Sequence, residues 1–286
     1  MTTLPSDFWG RVLFILQNYG ESLLRGAGLT LLIAFVGTAA GCVIGFICGV
    51  IKTIPLTRHD SLIKKIIVKL VCIIIDIYVE VFRGTPMMVQ SVFIFYGLLM
   101  CGFNISMMSA AFFIVSINTG AYMAETVRGG ILSIDPGQVE GAKAIGMTHV
   151  QTMTSVILPQ ALRNIMPQIG NNLIINIKDT CVLSAIGTVE LFFASKSVAG
   201  TYYTYFETFT ITMVMYLIMT VFFSQLLRRI EKKMDGPANY DLSTTDTLAY
   251  TTGMYNYPGS DHEEQNLDLR NIPAEPDAQN TKGGNE

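Results

Sequence analysis

The chain has 286 residues, half of them hydrophobic and only 14% charged, and a mean hydropathy of +0.44. Soluble domains carry about 25% charged residues, so this composition excludes an ordinary soluble protein and predicts a polytopic membrane protein. The net charge of −3 conceals an asymmetry: residues 1–234 hold 17 Lys and Arg against 12 Asp and Glu, while residues 235–286 hold 2 against 10.

In chain order, Phe8, Trp9, Val12, Leu13, Ile15 and Leu16 make an apolar helical face suited to a membrane interface. Residues 1–26 are therefore expected to be an external interfacial segment. Asp7, Arg11 and Glu21 around the first apolar stretch do not suit a cleavable leader. Residues 27–51 are uncharged and long enough to cross a hydrocarbon core of about 30 Å. Gly37, Gly41, Gly45 and Gly49 recur along them every four residues, a stripe suited to close helix packing.

Residues 66–101 are apolar but contain Asp76, Glu80, Arg83 and Pro86, and as one straight helix they would reach about 54 Å. This stretch either bends or crosses twice. As one element it lets a third span, residues 105–127, return the following loop to the cytoplasm. A polar fourth segment over 159–193 and a fifth over 209–227 complete a five-span permease domain, 27–234. The expected cytoplasmic segments then hold twelve Lys and Arg against three outside, consistent with an external N-terminus and a cytoplasmic C-terminus. The acidic remainder, 235–286, lacks apolar periodicity and is expected to be a disordered cytoplasmic tail.

The most informative run is Glu140-Gly141-Ala142-Lys143-Ala144-Ile145-Gly146, followed after nine residues by Val156-Ile157-Leu158-Pro159. A loop helix capped at Asp135-Pro136 accounts for the first residues but not for the spaced Gly146 and Leu158-Pro159. The run resembles the cytoplasmic coupling loop of the membrane subunit of ABC importers, with Gly141 and Val156 in place of an Ala and an Ile. Arg83-Gly84-Thr85-Pro86-Met87-Met88-Val89-Gln90, the stretch from Asn118 to Gly130, Leu158-Pro159-Gln160-Ala161-Leu162-Arg163 and Lys178-Asp179-Thr180 resemble the polar amino acid uptake branch, in matching order. The likeness runs from about Gly26 to about Lys233.

That resemblance implies an all-α integral membrane protein of the type I importer permease kind, five transmembrane helices with a cytoplasmic coupling helix, in the cell membrane. It implies that Glu140, Gly141, Ala142 and Gly146 contact a separate ATP-binding subunit. It further implies an external solute-binding protein, a second permease protomer in a homo- or heterodimer, and an amino acid substrate; no nucleic acid partner is expected. ATP and Mg would sit on the ATPase, because this chain has no phosphate-binding loop.

Charges at membrane depth are costly and face a cavity or a partner. A free amino acid carries a carboxylate and an ammonium, so its path needs a fixed cation and a fixed anion. Arg83 can grip a carboxylate through two N–H bonds, beside a Gly84-Thr85-Pro86 break that frees backbone groups and the Thr85 hydroxyl; Gln90 faces the same space. An Arg snorkelling to the interface fits the spacing equally, and the resemblance favours substrate contact. Asn172, Asn176 and Asp179 can share one helical face and line a polar passage. Thr119 and Tyr122 add hydroxyls. In the resembled family acidic side chains are expected where the cargo is cationic, so the neutral Asn172 points to a neutral polar amino acid such as glutamine or cystine.

The competing class is an ion-coupled secondary transporter that works without an ATPase, with Glu125, Lys178 or Asp179 carrying a proton. Five spans do not divide into equal halves, and no half repeats the other. No constellation of a membrane enzyme is present, and the five cysteines and three histidines have no metal-ligand spacing.

Overall fold

The computed structural model describes residues 4–56 and 61–235. The described residues fold into helices α1 (Phe8–Lys52), α2 (Leu62–Gly84), α3 (Met87–Met100), α4 (Met107–Leu132), α5 (Pro136–Ala144) and α6 (His149–Thr152). A π-helical turn (Met153–Ile157), α7 (Leu158–Asp179), a 3₁₀ turn (Thr180–Ile186), α8 (Leu191–Tyr202) and α9 (Tyr205–Asp235) follow. Apart from Asp235, the acidic tail lies outside the described residues.

No break separates the N-terminal segment from the first expected span. Asp7 caps one 45-residue helix by accepting from the Gly10 amide. Part of the apolar face expected at an interface is claimed by protein instead, because Ile15 and Leu23 are fully buried against Leu191, Ala194 and Val198 of α8 and Ile211 of α9. Trp9, Leu13 and Leu16 remain exposed.

The glycine stripe sets the architecture. A Cβ placed on Gly37, Gly41, Gly45 or Gly49 would strike Val115, Thr119, Met123 or Val127 in turn, at 2.6 Å from Thr119 Cβ and 2.7 Å from Val127 Cβ. Each four-residue step on α1 is matched by a four-residue step on α4, so the two helices run in the same direction, in register and nearly backbone to backbone. The chain between them must therefore travel back. α2 does so beside the Lys52 end, where Ile75 and Val79 pack with Ala124 and with Cys48 and Ile51. α3 completes the return, placing Phe95 against Ala110, Ala111, Ile114 and Ile33.

The second return is made by α7, the 3₁₀ turn and α8. Ala161 and Ile165 pack with Val127 and Ile131, Asn176 meets Thr38 and Thr119, Leu183 meets Ile33, and Tyr202 reaches Tyr19. Gly187 turns the chain in the left-handed region at φ 84°, and the helices on either side of it are bent by 54°. The polar fourth segment expected over 159–193 thus comprises α7, the 3₁₀ turn and the start of α8. α9 then runs alongside α1, from Arg11–Glu207 to Phe35–Phe223. By length and apolarity three helices qualify as spans, Phe8–Lys52, Met107–Leu132 and Tyr205–Lys233, or four with the bent pair. α4 is central: 61% of its apolar window is buried, against 17% for α9.

Candidate functional site

The break between α2 and α3 lies at the middle of the bundle, because its polar partner is Asn118, halfway along α4. Thr85 is extended (φ −121°, ψ 147°), as the residue before a proline is expected to be. Pro86 has no N–H, so the Phe82 carbonyl loses its helical partner. Gln90 supplies the replacement: its side-chain amide nitrogen, Nε2, donates to Phe82 O and Thr85 O, both at 2.9 Å, and to Thr85 Oγ1 at 2.8 Å. Asn118 Nδ2 donates to Gln90 Oε1 at 2.9 Å, and the Thr85 hydroxyl donates to Val81 O at 2.8 Å. Gln90 is buried and its amide is engaged with the chain. Of the expected substrate contacts, Thr85 and Gln90 are brought together, as a clamp on the break.

Arg83, in the last turn of α2, is exposed, with its guanidinium carbon 5.7 Å from the ring centroid of Tyr122. This cation–π contact is its one interaction among the described residues. On α7, Asn172 and Asn176 turn inward. Asn176 Nδ2 donates to Thr38 Oγ1 at 2.7 Å and Thr119 Oγ1 at 2.9 Å, tying α7 to α1 and α4. Asn172 Nδ2 donates to Gln168 O at 2.9 Å and lies 3.4 Å from Met123 Sδ. Asp179, the last residue of α7, is exposed and makes no ion pair among the described residues. The single face expected for Asn172, Asn176 and Asp179 is therefore divided, with the amides between helices and the carboxylate open. No hydrogen bond or ion pair joins Arg83 to Asp179.

Glu125 is not left alone at depth. It pairs with Arg128 and, at 3.5 Å, with Lys52, whose Nζ also lies 2.7 Å from Asp76. This network ties the C-terminal parts of α1 and α4 to the middle of α2 and removes Glu125 as a free proton carrier. Sequence reasoning also passed over Glu190. Fully buried, it caps α8 by accepting from Phe192 N (2.8 Å), Phe193 N (2.7 Å) and Tyr216 Oη (3.0 Å). The signal was there, a carboxylate immediately before an apolar helical run. Among the described residues no three His, Cys, Asp or Glu side chains are grouped to hold a metal ion.

The loop helix α5 sits beyond the Lys52 end. Asp135 accepts from Gly137 N at 2.7 Å and Pro136 opens the helix. Its far end is closed by Gly146 at φ 83°, with Gly146 N donating to Lys143 O and Met147 N to Ala142 O, both at 3.0 Å. That left-handed closure is the physical demand for glycine at position 146. Ala142 is buried, and the neighbouring Val139 packs with Met153 and Val156 below it. Glu140, Gly141 and Gly146 face outward, as does Ile145, 78% exposed. Ala142 thus anchors the helix from beneath, and Ile145 joins the outward face in a position that sequence reasoning had not singled out.

A helical bundle with a capped, outward-facing loop helix at one end agrees with the comparisons. The family model for the binding-protein-dependent transport system inner membrane component matches residues 67–236. The chain belongs to this family. It is 38% identical over 217 residues to the glutamine transport system permease protein GlnP of Escherichia coli (strain K12), covering 74% of this chain and 92% of that one. It is 31% identical over 213 residues to the arginine transport system permease protein ArtQ of Bacillus subtilis (strain 168), with the same two coverages. The crystal structure of an amino acid ABC transporter with histidines superposes with a TM-score of 0.68 at 34% identity, over 82% of this chain and all of that one. The inward-facing MetNI methionine ABC transporter shares the fold, with a TM-score of 0.61 at 24% identity, over 74% of this chain and 96% of that one.

Family membership makes the chain an inner membrane transport subunit and not an enzyme. It also places the chain in a system with an ATPase, a binding protein and a second permease in general. The ion-coupled alternative is set aside with it.

Proposed function

We propose that this chain and a second permease protomer form the path for a polar L-amino acid, driven by a separate ATP-binding subunit and supplied by an external binding protein. Transport of glutamine and arginine by the two permeases similar to it supports the cargo class, and the neutral Asn172 favours a neutral cargo such as glutamine or cystine. The carrying observation is the contrast among charges at depth. Asp76 and Glu125 are paired within the protomer, whereas Arg83 and Asp179 stay exposed and free of ion pairs among the described residues. They offer the cargo's carboxylate a cation and its ammonium an anion, and Thr85, Gln90 and Asn172 complete the proposed substrate residues. Gln90 and Asn172 act in this reading by holding the polar surroundings in place.

The chain makes five traversals in this reading, with α2 and α3 together as one and α7 to α8 as another. The N-terminus is external and the C-terminus cytoplasmic, which puts α5 in the cytoplasm with Glu140, Gly141 and Gly146 toward the ATPase and Ala142 as its anchor. No cofactor binds this chain; ATP and Mg act on the partner. ATP binding and hydrolysis shift the permease pair between outward-facing and inward-facing populations.

The test is ATP-dependent uptake of a panel of labelled amino acids into proteoliposomes holding the assembled complex, with Asp179→Asn and Arg83→Gln alongside the wild type. Uptake of a neutral polar amino acid that both substitutions abolish, with assembly and basal ATPase activity retained, is expected. Normal uptake in both variants overturns the charge assignment.

A further inference from the structure

We infer that Glu80 is a charge filter on the cargo path, admitting amino acids with neutral or cationic side chains and refusing those with a side-chain carboxylate. The inference deepens the function proposed above and rests on its reading of Arg83 as a cargo contact.

The place of Glu80 follows from its neighbours on α2. Val79 packs with Ala124, and Tyr78 Oη donates to Ile117 O at 2.5 Å. Both partners lie within α4, a helix long and apolar enough to span, so Glu80 stands at membrane depth. At 100° per residue, Asp76, Glu80 and Arg83 share a sector about 60° wide. Buried Ile75 and Val79 lie to one side of it, and exposed Ile74, Ile77 and Val81 to the other. The charged sector is thus distinct from the apolar sector that suits lipid, and Glu80 opens toward the space that Arg83 faces.

The three charges have different surroundings. Asp76 lies 2.7 Å from Lys52 Nζ. Glu80 is exposed and has no hydrogen bond or ion pair among the described residues. Arg83, three residues on, is engaged with Tyr122 instead. An unpaired carboxylate at this depth needs water or a cation in front of it.

Its spacing from Arg83 sets what it does. A cargo whose α-carboxylate is held by Arg83 lies about one helical turn from Glu80, a separation at which side chains are neighbours. A second carboxylate on that cargo meets a like charge while Arg83 is already engaged. A neutral side chain meets no such repulsion, and an ammonium or guanidinium meets an opposite charge. Repulsion of this kind discriminates without adding a contact to the favoured cargo.

The test sets a probe beside Glu80 that depends on neither cargo nor binding protein. Gly84 lies four residues on, exposed, where a Cβ meets nothing within 4 Å. The full chain carrying Gly84→Cys, in the assembled complex in proteoliposomes, is treated with a trimethylammonium and a sulfonate methanethiosulfonate reagent. Peptide mass spectrometry reads the adduct at position 84, so the native cysteines stay in place. The cation-to-anion rate ratio is expected to fall about fivefold at low ionic strength when Glu80→Gln is added, and to be kept by Glu80→Asp. That is the effect of one unit charge at about 7 Å, acting with opposite signs on the two reagents; salt should compress it. Binding of labelled glutamate relative to labelled glutamine by the complex should rise by a similar factor in Glu80→Gln. A rate ratio unmoved by Glu80→Gln overturns the filter and leaves the path reading standing, as does equal binding of glutamate and glutamine by the wild type. A thiol at position 84 closed to both reagents sinks the filter and the path reading together, by showing that this face is covered.

Discussion

The α1–α4 seam and the α2–α3 break lie side by side at the same depth and are built on opposite terms. Along the seam, glycines bring two helices into continuous contact and leave no room for a methyl group at Gly41, Gly45 or Gly49. At the break, a Cβ on Gly84 would meet nothing within 4 Å, and order depends on a few hydrogen bonds from Gln90 and Asn118. Packing of the first kind resists deformation, because every residue in the register must move together. A break held by side-chain amides can open at one place. A transporter that changes state needs both, a fixed spine and an element free to move against it.

The largest expected effect tests the spine. Gly45→Leu drives its side chain into Met123 and the backbone of Ala124, with overpacking of about 3 kcal/mol or more, so loss of folded protein on size-exclusion chromatography is expected. Gly84→Ala should leave thermal stability within about 0.5 kcal/mol. Comparable losses in the two would dissolve the contrast. Next, Gln90→Leu takes Nε2 from the Phe82 and Thr85 carbonyls and Oε1 from the Asn118 amide, leaving Phe82 and Asn118 only their longer 3.4 Å bond to each other, at about 1–3 kcal/mol for each buried group left unpaired. Faster hydrogen exchange over residues 82–90, with α1 and α4 unchanged, is the expected signature. Gly146→Ala places a Cβ at φ 83° for about 1 kcal/mol, and Gly146→Trp should in addition abolish stimulation of the partner ATPase. The smallest effect belongs to Asp76→Asn, within about 1 kcal/mol in thermal unfolding because Asp76 is largely exposed.

Much of this was legible in the residues themselves. Uncharged lengths announced α1, α4 and α9, Thr85-Pro86 announced the break, and the four-residue glycine repeat announced a close contact. The partner of that contact was not legible, because a stripe does not say which helix lies against it. The same limit explains the division of Asn172 and Asn176 from Asp179. Helical spacing placed them near one another, but the side that counts as inside is set by Thr38 and Thr119, on helices far away in sequence. Gln90 was read as facing open space because its four-residue distance from Pro86 suits either a cargo or a carbonyl, and the freed Phe82 carbonyl is nearer. Ala142 was assigned by motif position, and Ile145 was not singled out. Their true sides depend on the π turn beneath, which no local preference in Met153–Ile157 reveals.

The in-register seam also has a history in synthesis. Gly41 finds its mate only at Thr119, about 80 residues later, which at about 5–20 residues per second is roughly 4–16 s of translation. For that interval the glycine groove of the newborn first helix has no protein partner and must be filled by lipid or by the insertion machinery. Its closure waits on the whole return element and on α4, so a substitution that delays α2 and α3 would prolong the time for which the groove is open to a wrong neighbour.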